Sequence, residues 1–187
     1  MNYKLLENDI RMIGDIKLYR MIATKIFVNG DRQIKKGDLG GFVESCQNVS
    51  GDAWVSGDAW VSGNACISGN ARVSDNAHVS GNACVSGNAW VSGNAHVYGD
   101  AWGRSPLQIQ GTRHFVNMCT RKLLKIGCYE YTISTWLEKY KEIGEQNNYS
   151  EQEIDEYGMY IRLAQRIAKL YKDKPGLRRR IRGWAGV

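Results

Sequence analysis

From Val49 to Trp102 the chain repeats a six-residue pattern of apolar and polar positions: VSGDAW, VSGDAW, VSGNAC, ISGNAR, VSDNAH, VSGNAC, VSGNAW, VSGNAH, VYGDAW. A β-branched aliphatic opens each unit (Val49, Val55, Val61, Ile67, Val73, Val79, Val85, Val91, Val97), and an alanine follows four residues later. A Gly-Asn or Gly-Asp pair lies between them in most units. A unit this short cannot bury its own apolar face, so successive units must stack. The spacing predicts short β segments separated by tight corners, with the branched residue inward and Ala filling the corner beside it.

These hexads resemble the hexapeptide repeat of left-handed parallel β-helices, in which three units make one triangular coil. The resemblance implies a mainly β fold, with about three coils over residues 49–102. It is specific for fold and says little of function, because the family includes acyltransferases, carbonic-anhydrase-like enzymes, assembly subunits and inert scaffolds.

Folding the repeat by eighteens predicts which side chains stack. The residue before each inward Val should face solvent and lie about 4.8 Å from its equivalent in the next coil. One face then carries Trp54, Arg72 and Trp90, a cation between two indoles. The second carries Trp60, His78 and His96, and the third Cys66, Cys84 and Trp102. Serines after the Val form parallel ladders such as Ser56, Ser74 and Ser92. Stacked exposed aromatics make a sticky surface, unless terminal segments fold back and cover a face. Open coil ends would expose unpaired strand edges, so the flanking segments are expected to act as caps and as surfaces for a homodimer or trimer.

The flanks read accordingly. Residues 1–48 form a β-rich cap, with a β-leaning stretch from Ile16 to Val28 and a hairpin turn at Asn29-Gly30-Asp31. The glycines from Gly37 to Gly41 turn the chain into the first coil through positive φ. Residues 103–130 hold three short β pieces, Leu107–Gln110, His114–Met118 and Leu123–Tyr129, bent at Gly111 and Gly127. Residues 131–174 hold two helices. Ser134 can cap the first, and Gly144 to Asn148 ends it. Ser150 and Glu153 form a capping box for the second, which runs to about Lys172 before Pro175 and Gly176. That helix has one apolar row of Ile154, Tyr157, Ile161, Ala164, Ala168 and Tyr171 and another of Tyr160, Leu163, Ile167 and Leu170. So wide an apolar surface exceeds what one neighbouring helix covers. Arg162, Arg166 and Lys169 occupy the remaining strip, and residues 175–187 form a basic tail.

Charge sharpens this picture. The net +6 is polarised: residues 162–187 sum to +8 and the rest to −2. In the tail, Arg178, Arg179, Arg180 and Arg182 alternate with Ile181 and Trp184, a contact for phosphates, RNA or an acidic protein groove, against which stands a plain solvated tail. Five cysteines without a CxxC pair fit a reduced cytoplasmic setting, and neither a membrane span nor a signal-peptide core is evident. A metal is not expected, because Cys66 and Cys84 fall on a different face from His78 and His96.

The turn GDLGGFVE before the repeats resembles the N-terminal segment of small phage and prophage proteins of this architecture. The region SPLQIQGTRH to YSEQEIDEYGMYIRLA resembles the segment after the repeats in such accessory proteins. This resemblance implies a non-enzymatic antagonist of host immunity, without a cofactor, of the anti-CRISPR kind that blocks a nuclease or its guide complex in the host cytoplasm. The partner would be a host defence protein or ribonucleoprotein, with RNA or DNA touching the basic end. A net positive charge argues against simple DNA mimicry. The alternative is an acyltransferase with acyl-CoA along the coils and His78, His96 or His114 as general base. That family places its histidine on or beside an extruded loop, whereas these hexads run without insertion. A structural assembly subunit is the third reading.

Overall fold

The computed structural model describes residues 1–172, with side chains as far as Leu170. The tail residues Arg178, Arg179, Arg180, Arg182 and Trp184 lie outside the described residues. The chain is mainly β: a solenoid of roughly three turns, an N-terminal β cap, a four-stranded antiparallel sheet and two C-terminal helices.

The solenoid register follows the hexads. Parallel rungs pair Val55 with Val73, Val61 with Val79, Ile67 with Val85 and Val79 with Val97, each eighteen residues apart. These branched residues are 0–1% exposed, and the corner alanines beside them are buried as well. The corners require left-handed backbone, which glycine adopts without strain: φ is +66° at Gly57 and +63° at Gly63. Asp75 takes the same conformation in the unit that lacks the glycine (φ +61°), and its carboxylate accepts the Gly93 N–H at 2.9 Å. Aspartate is among the few side chains that tolerate this region.

The stack starts before the first hexad. Leu39–Val43 pairs in parallel with Trp60–Val61, with Phe42 opposite Trp60, and Val49 bridges to Ile67. The hairpin Tyr3–Ile13 and Ile16–Ala23 adds to this rung antiparallel, so one continuous six-stranded sheet runs from the N-terminus to His96–Tyr98. Gly37 has the expected positive φ of 94°. Gly40 and Gly41 instead serve close approach, since a Cβ on Gly41 would lie 2.5 Å from the Ala59 carbonyl oxygen. The predicted hairpin at Asn29–Asp31 forms between Phe27–Asn29 and Arg32–Ile34.

The last coil departs from expectation. Cys84 pairs with Ala101 and Val85 with Trp102, one position short of the eighteen-residue step. The shortened corner reverses the facing of the final pair: Ala101 is exposed and Trp102 points into the core at 0% exposure. Trp102 is therefore the floor of the solenoid and not a rung of an outer face.

Both ends of the stack are closed by side-chain amides. At the C-terminal end the Asn117 amide donates to the His96 carbonyl at 2.8 Å and accepts the His96 N–H at 3.5 Å, taking the place of a further strand. Gln108 does the same for the next sheet, accepting the Ser92 N–H at 2.8 Å and donating to the Trp90 carbonyl at 2.9 Å. At the N-terminal end Asn48 donates to the carbonyls of Gly63 and Ala65, and Asn29 to those of Asp52 and Ala71. Asn29, Asn48 and Asn117 are each at most 2% exposed, as buried polar groups with their bonds made must be.

The C-terminal sheet has four strands where the sequence predicts three β pieces: Gln108–Gln110, Phe115–Met118, Leu123–Ile126 and Tyr129–Thr132. Gly127, with φ +58°, turns the third piece back on itself and creates the fourth strand. Helix α1 (Ile133–Gln146) is capped by Thr132, whose hydroxyl accepts the Thr135 N–H at 3.1 Å, and not by Ser134. Gly144 stays helical and makes room for Ile154, since a Cβ there would sit 2.6 Å from its side chain. Helix α2 (Glu151–Lys172) starts with the expected capping box, Ser150 N–H to Glu153 at 2.8 Å and Glu153 N–H to Ser150 Oγ at 3.2 Å. Ile154, Tyr157, Ile161 and Ala164 of its first row are buried, while Leu163 and Leu170 of the second are exposed.

Candidate functional site

The three outer faces differ in what they leave open. On the first, Arg72 stands between Trp54 and Trp90 in register, as the repeat predicts. Trp54, however, is covered. The small hairpin folds over it, Phe27 meets its ring edge-on at 5.6 Å, and it is 3% exposed. Arg72 turns to this hairpin, donating to the Asn29 carbonyl at 2.7 Å and pairing with Asp31, whose carboxyl it holds below the usual range. Its guanidinium also lies 5.9 Å from the Trp90 ring centroid. Trp90 is half exposed and donates to Ser74 Oγ at 3.0 Å.

The second face is a continuous aromatic column. Arg11 and Arg20 both lie 4.0 Å from the Phe42 centroid. Below Phe42 come Trp60, His78 and His96, with ring separations of 4.4 Å for Trp60–His78 and 4.5 Å for His78–His96. The Lys125 ammonium ends the column, 3.4 Å from each ring nitrogen of His96. Burial, then the neighbouring His96 and the cations Lys125 and Arg11, depress the His78 pKa to about 4. Burial and Lys125 likewise lower His96, against a smaller opposing pull from Glu130. Both imidazoles are held in the neutral form, because their charged form is desolvated and faces like charge.

On the third face Cys66 and Cys84 form the expected rung. The two thiols act on each other, which lowers the Cys66 pKa and raises that of Cys84, where burial adds to the rise. Among the described residues, no three of His, Cys, Asp and Glu gather as metal ligands, and no helix is long and apolar enough to cross a membrane.

The third histidine candidate, His114, stands apart from the column on the turn before Phe115–Met118. Its ring packs on Gly127, and its backbone N–H donates to the Tyr157 hydroxyl at 2.6 Å. It shares with His96 a polar recess of about 310 Å³ between the solenoid and the C-terminal sheet. On α2, Arg162, Arg166 and Lys169 are exposed. The end of that helix, at Ile167 and Leu170, and Pro106 and Leu107 below the last coil border a groove of about 660 Å³.

The structure thus brings His78 and His96 together with Trp60, separates them from Trp54 and Trp90, and removes Trp102 from the surface. Lys125, Asn117 and Arg11 are absent from the sequence-derived candidates. They reach the column from outside the hexads, and no spacing rule connects them to it.

A family model described as the YdcK beta solenoid repeat matches residues 65–81 and 77–93, within the coils. No curated protein matches the chain.

Proposed function

We propose that this solenoid protein is a non-enzymatic binding protein that antagonises a host defence complex, occupying a nuclease or its guide ribonucleoprotein. The observation that carries the non-enzymatic half is the packing of two of the three candidate bases, His78 and His96, as rungs. A general base must become imidazolium as it works. Here that charge would form in a half-buried stack, with Lys125 3.4 Å from the ring nitrogens of His96. The acyltransferase reading is weakened on this ground.

The antagonist half rests on the likeness of GDLGGFVE and of the C-terminal region to phage and prophage accessory proteins, joined to two physical features. The solenoid is a stack of parallel rungs in register, and the exposed strip Arg162, Arg166 and Lys169 is followed in the sequence by the arginine-rich tail. Cationic residues in that arrangement favour an RNA, a DNA or an acidic protein groove. Self-assembly into filaments is disfavoured, because the amides of Asn29, Asn48, Asn117 and Gln108 already occupy terminal rungs that a second copy would need.

The test is a pull-down of the purified protein from host lysate, with and without nuclease treatment, at two salt concentrations. Recovery of one stoichiometric nuclease or RNA-guided complex supports the reading. A bait that retains neither protein nor RNA, yet binds acyl-CoA and loses acyl transfer in His96→Ala, replaces it with the enzyme.

A further inference from the structure

The recess between the last coil and the C-terminal sheet is lined by His96 and Asn94 of the solenoid and by Gln110, Arg113, His114 and Lys125 beyond it. None of its lining residues is acidic. Among the described residues Lys125 joins no salt bridge. Glu130 stands directly opposite it on the neighbouring strand, with its carboxylate hydrogen-bonded by the Tyr98 hydroxyl and in no ion pair with Lys125. The partly buried ammonium rests instead on the His96 imidazole, a weak substitute for a counter-ion.

We propose that this recess binds a phosphate group carried by a small molecule, with Lys125 supplying the charge and His96 and His114 flanking it. Residues able to donate a hydrogen bond line the hollow from four separate places: the corner at Asn94, the rung at His96, the turn at His114 and the strand at Lys125. That spread suits a tetrahedral set of oxygens, whereas a planar carboxylate is matched by a single arginine fork. Arg113 is not such a fork, being bound to the Asn148 carbonyl at 2.9 Å and stacked on Tyr149 at 4.5 Å. Its guanidinium also pairs with the Glu153 carboxylate at 3.7 Å, so the uncompensated positive charge of the recess is that of Lys125. The Asn117 amide is spent on the His96 backbone. Size selects the ligand class: a volume of about 310 Å³ lies at the lower end of small-molecule pockets and is too small for a folded partner. The proposal stands whether or not the protein antagonises a defence complex.

The probes are inorganic phosphate, phenyl phosphate and a single-stranded RNA oligonucleotide, with binding measured by calorimetry at constant ionic strength in chloride. Phenyl phosphate should bind saturably at one equivalent and inorganic phosphate more weakly. Lys125→Gln should weaken binding by about tenfold or more, the loss of one charge-assisted hydrogen bond. Lys125→Arg should retain it, as should Lys35→Gln, a change at an exposed lysine on the N-terminal cap. Should Lys125→Gln prove unstable by thermal melting, His114→Gln carries the test with the same direction of effect. Equal binding by wild type and both variants, or no saturable binding of phenyl phosphate, overturns the proposal. Lys125-dependent binding of the RNA without binding of phenyl phosphate also overturns it, by assigning the contact to a polynucleotide backbone.

Discussion

At the scale of single residues, His78 links stability to pH. Its pKa in the fold, about 4, lies below the ordinary 6.5, so the unfolded chain binds more protons between those values. Its contribution is therefore complete above pH 6.5 and lost as pH falls through 4. His78→Phe keeps the aromatic rung without the titration. Calorimetric melting should show a smaller drop in Tm between neutral and acid pH in this variant than in wild type. Trp102 and Trp90 form a second contrast. Trp102→Ala should cost about 3–5 kcal/mol by urea unfolding, as a buried indole does, whereas Trp90→Ala, at half-exposed Trp90, should cost less than about 1 kcal/mol. Asn117→Ala strands the His96 N–H and carbonyl at a buried sheet edge and should cost about 1–3 kcal/mol in the same assay.

At the scale of elements, the coils were legible and the contacts between coils and caps were not. The hexads announce an inward Val and Ala, a corner, and an outward residue with its neighbours eighteen places away. The observed Trp54–Arg72–Trp90, Trp60–His78–His96 and Cys66–Cys84 rungs obey that count. VYGDAW keeps the valine, glycine and alanine of the template and departs from it only at Tyr98, which stands where the other hexads have serine and does not announce the shortened corner that turns Trp102 inward. Tertiary closure of the solenoid floor decides it. The Trp54 face likewise gave no sign of which terminal segment would cover it, since Phe27 is brought there by a three-dimensional turn and not by periodicity. Ser134 and Thr132 are both competent caps, and the strand ending at Thr132 selects between them. The junction of cap and coil offers its own test. Gly41→Ala would place a methyl 2.5 Å from the Ala59 carbonyl oxygen. The cap must shift off the first rung, at a cost of about 1–3 kcal/mol measurable by denaturant unfolding.

At the scale of the whole molecule, charge and shape divide the labour. The residues before 162 sum to −2 and residues 162–187 to +8, so the positive charge is concentrated in the last part of the sequence and not in the coils. Removing residues 177–187 should weaken binding to a nucleic acid or ribonucleoprotein and flatten the dependence of affinity on salt, because each lost phosphate contact lowers that slope by about one. Binding assays across a salt series read both effects, and an unchanged slope takes residues 177–187 out of the contact. The polar recess was illegible for a related reason: its lining joins a corner at Asn94, a turn at His114 and a strand at Lys125 that no motif links in sequence.

The eighteen-residue rung spacing also sets how such a molecule can change length. Duplicating one full coil would move the two caps apart by about 4.8 Å and leave them at the same azimuth, with the six-stranded sheet longer by one strand. Duplicating a single hexad would rotate one cap by about a third of a turn against the other. Asn117 would then stand under the wrong face, and Lys125 would lose the column it now ends. The solenoid thus behaves as a phase-locked spacer: its growth is quantised in whole turns, and the recess beneath His96 survives only the additions that keep the two ends in phase.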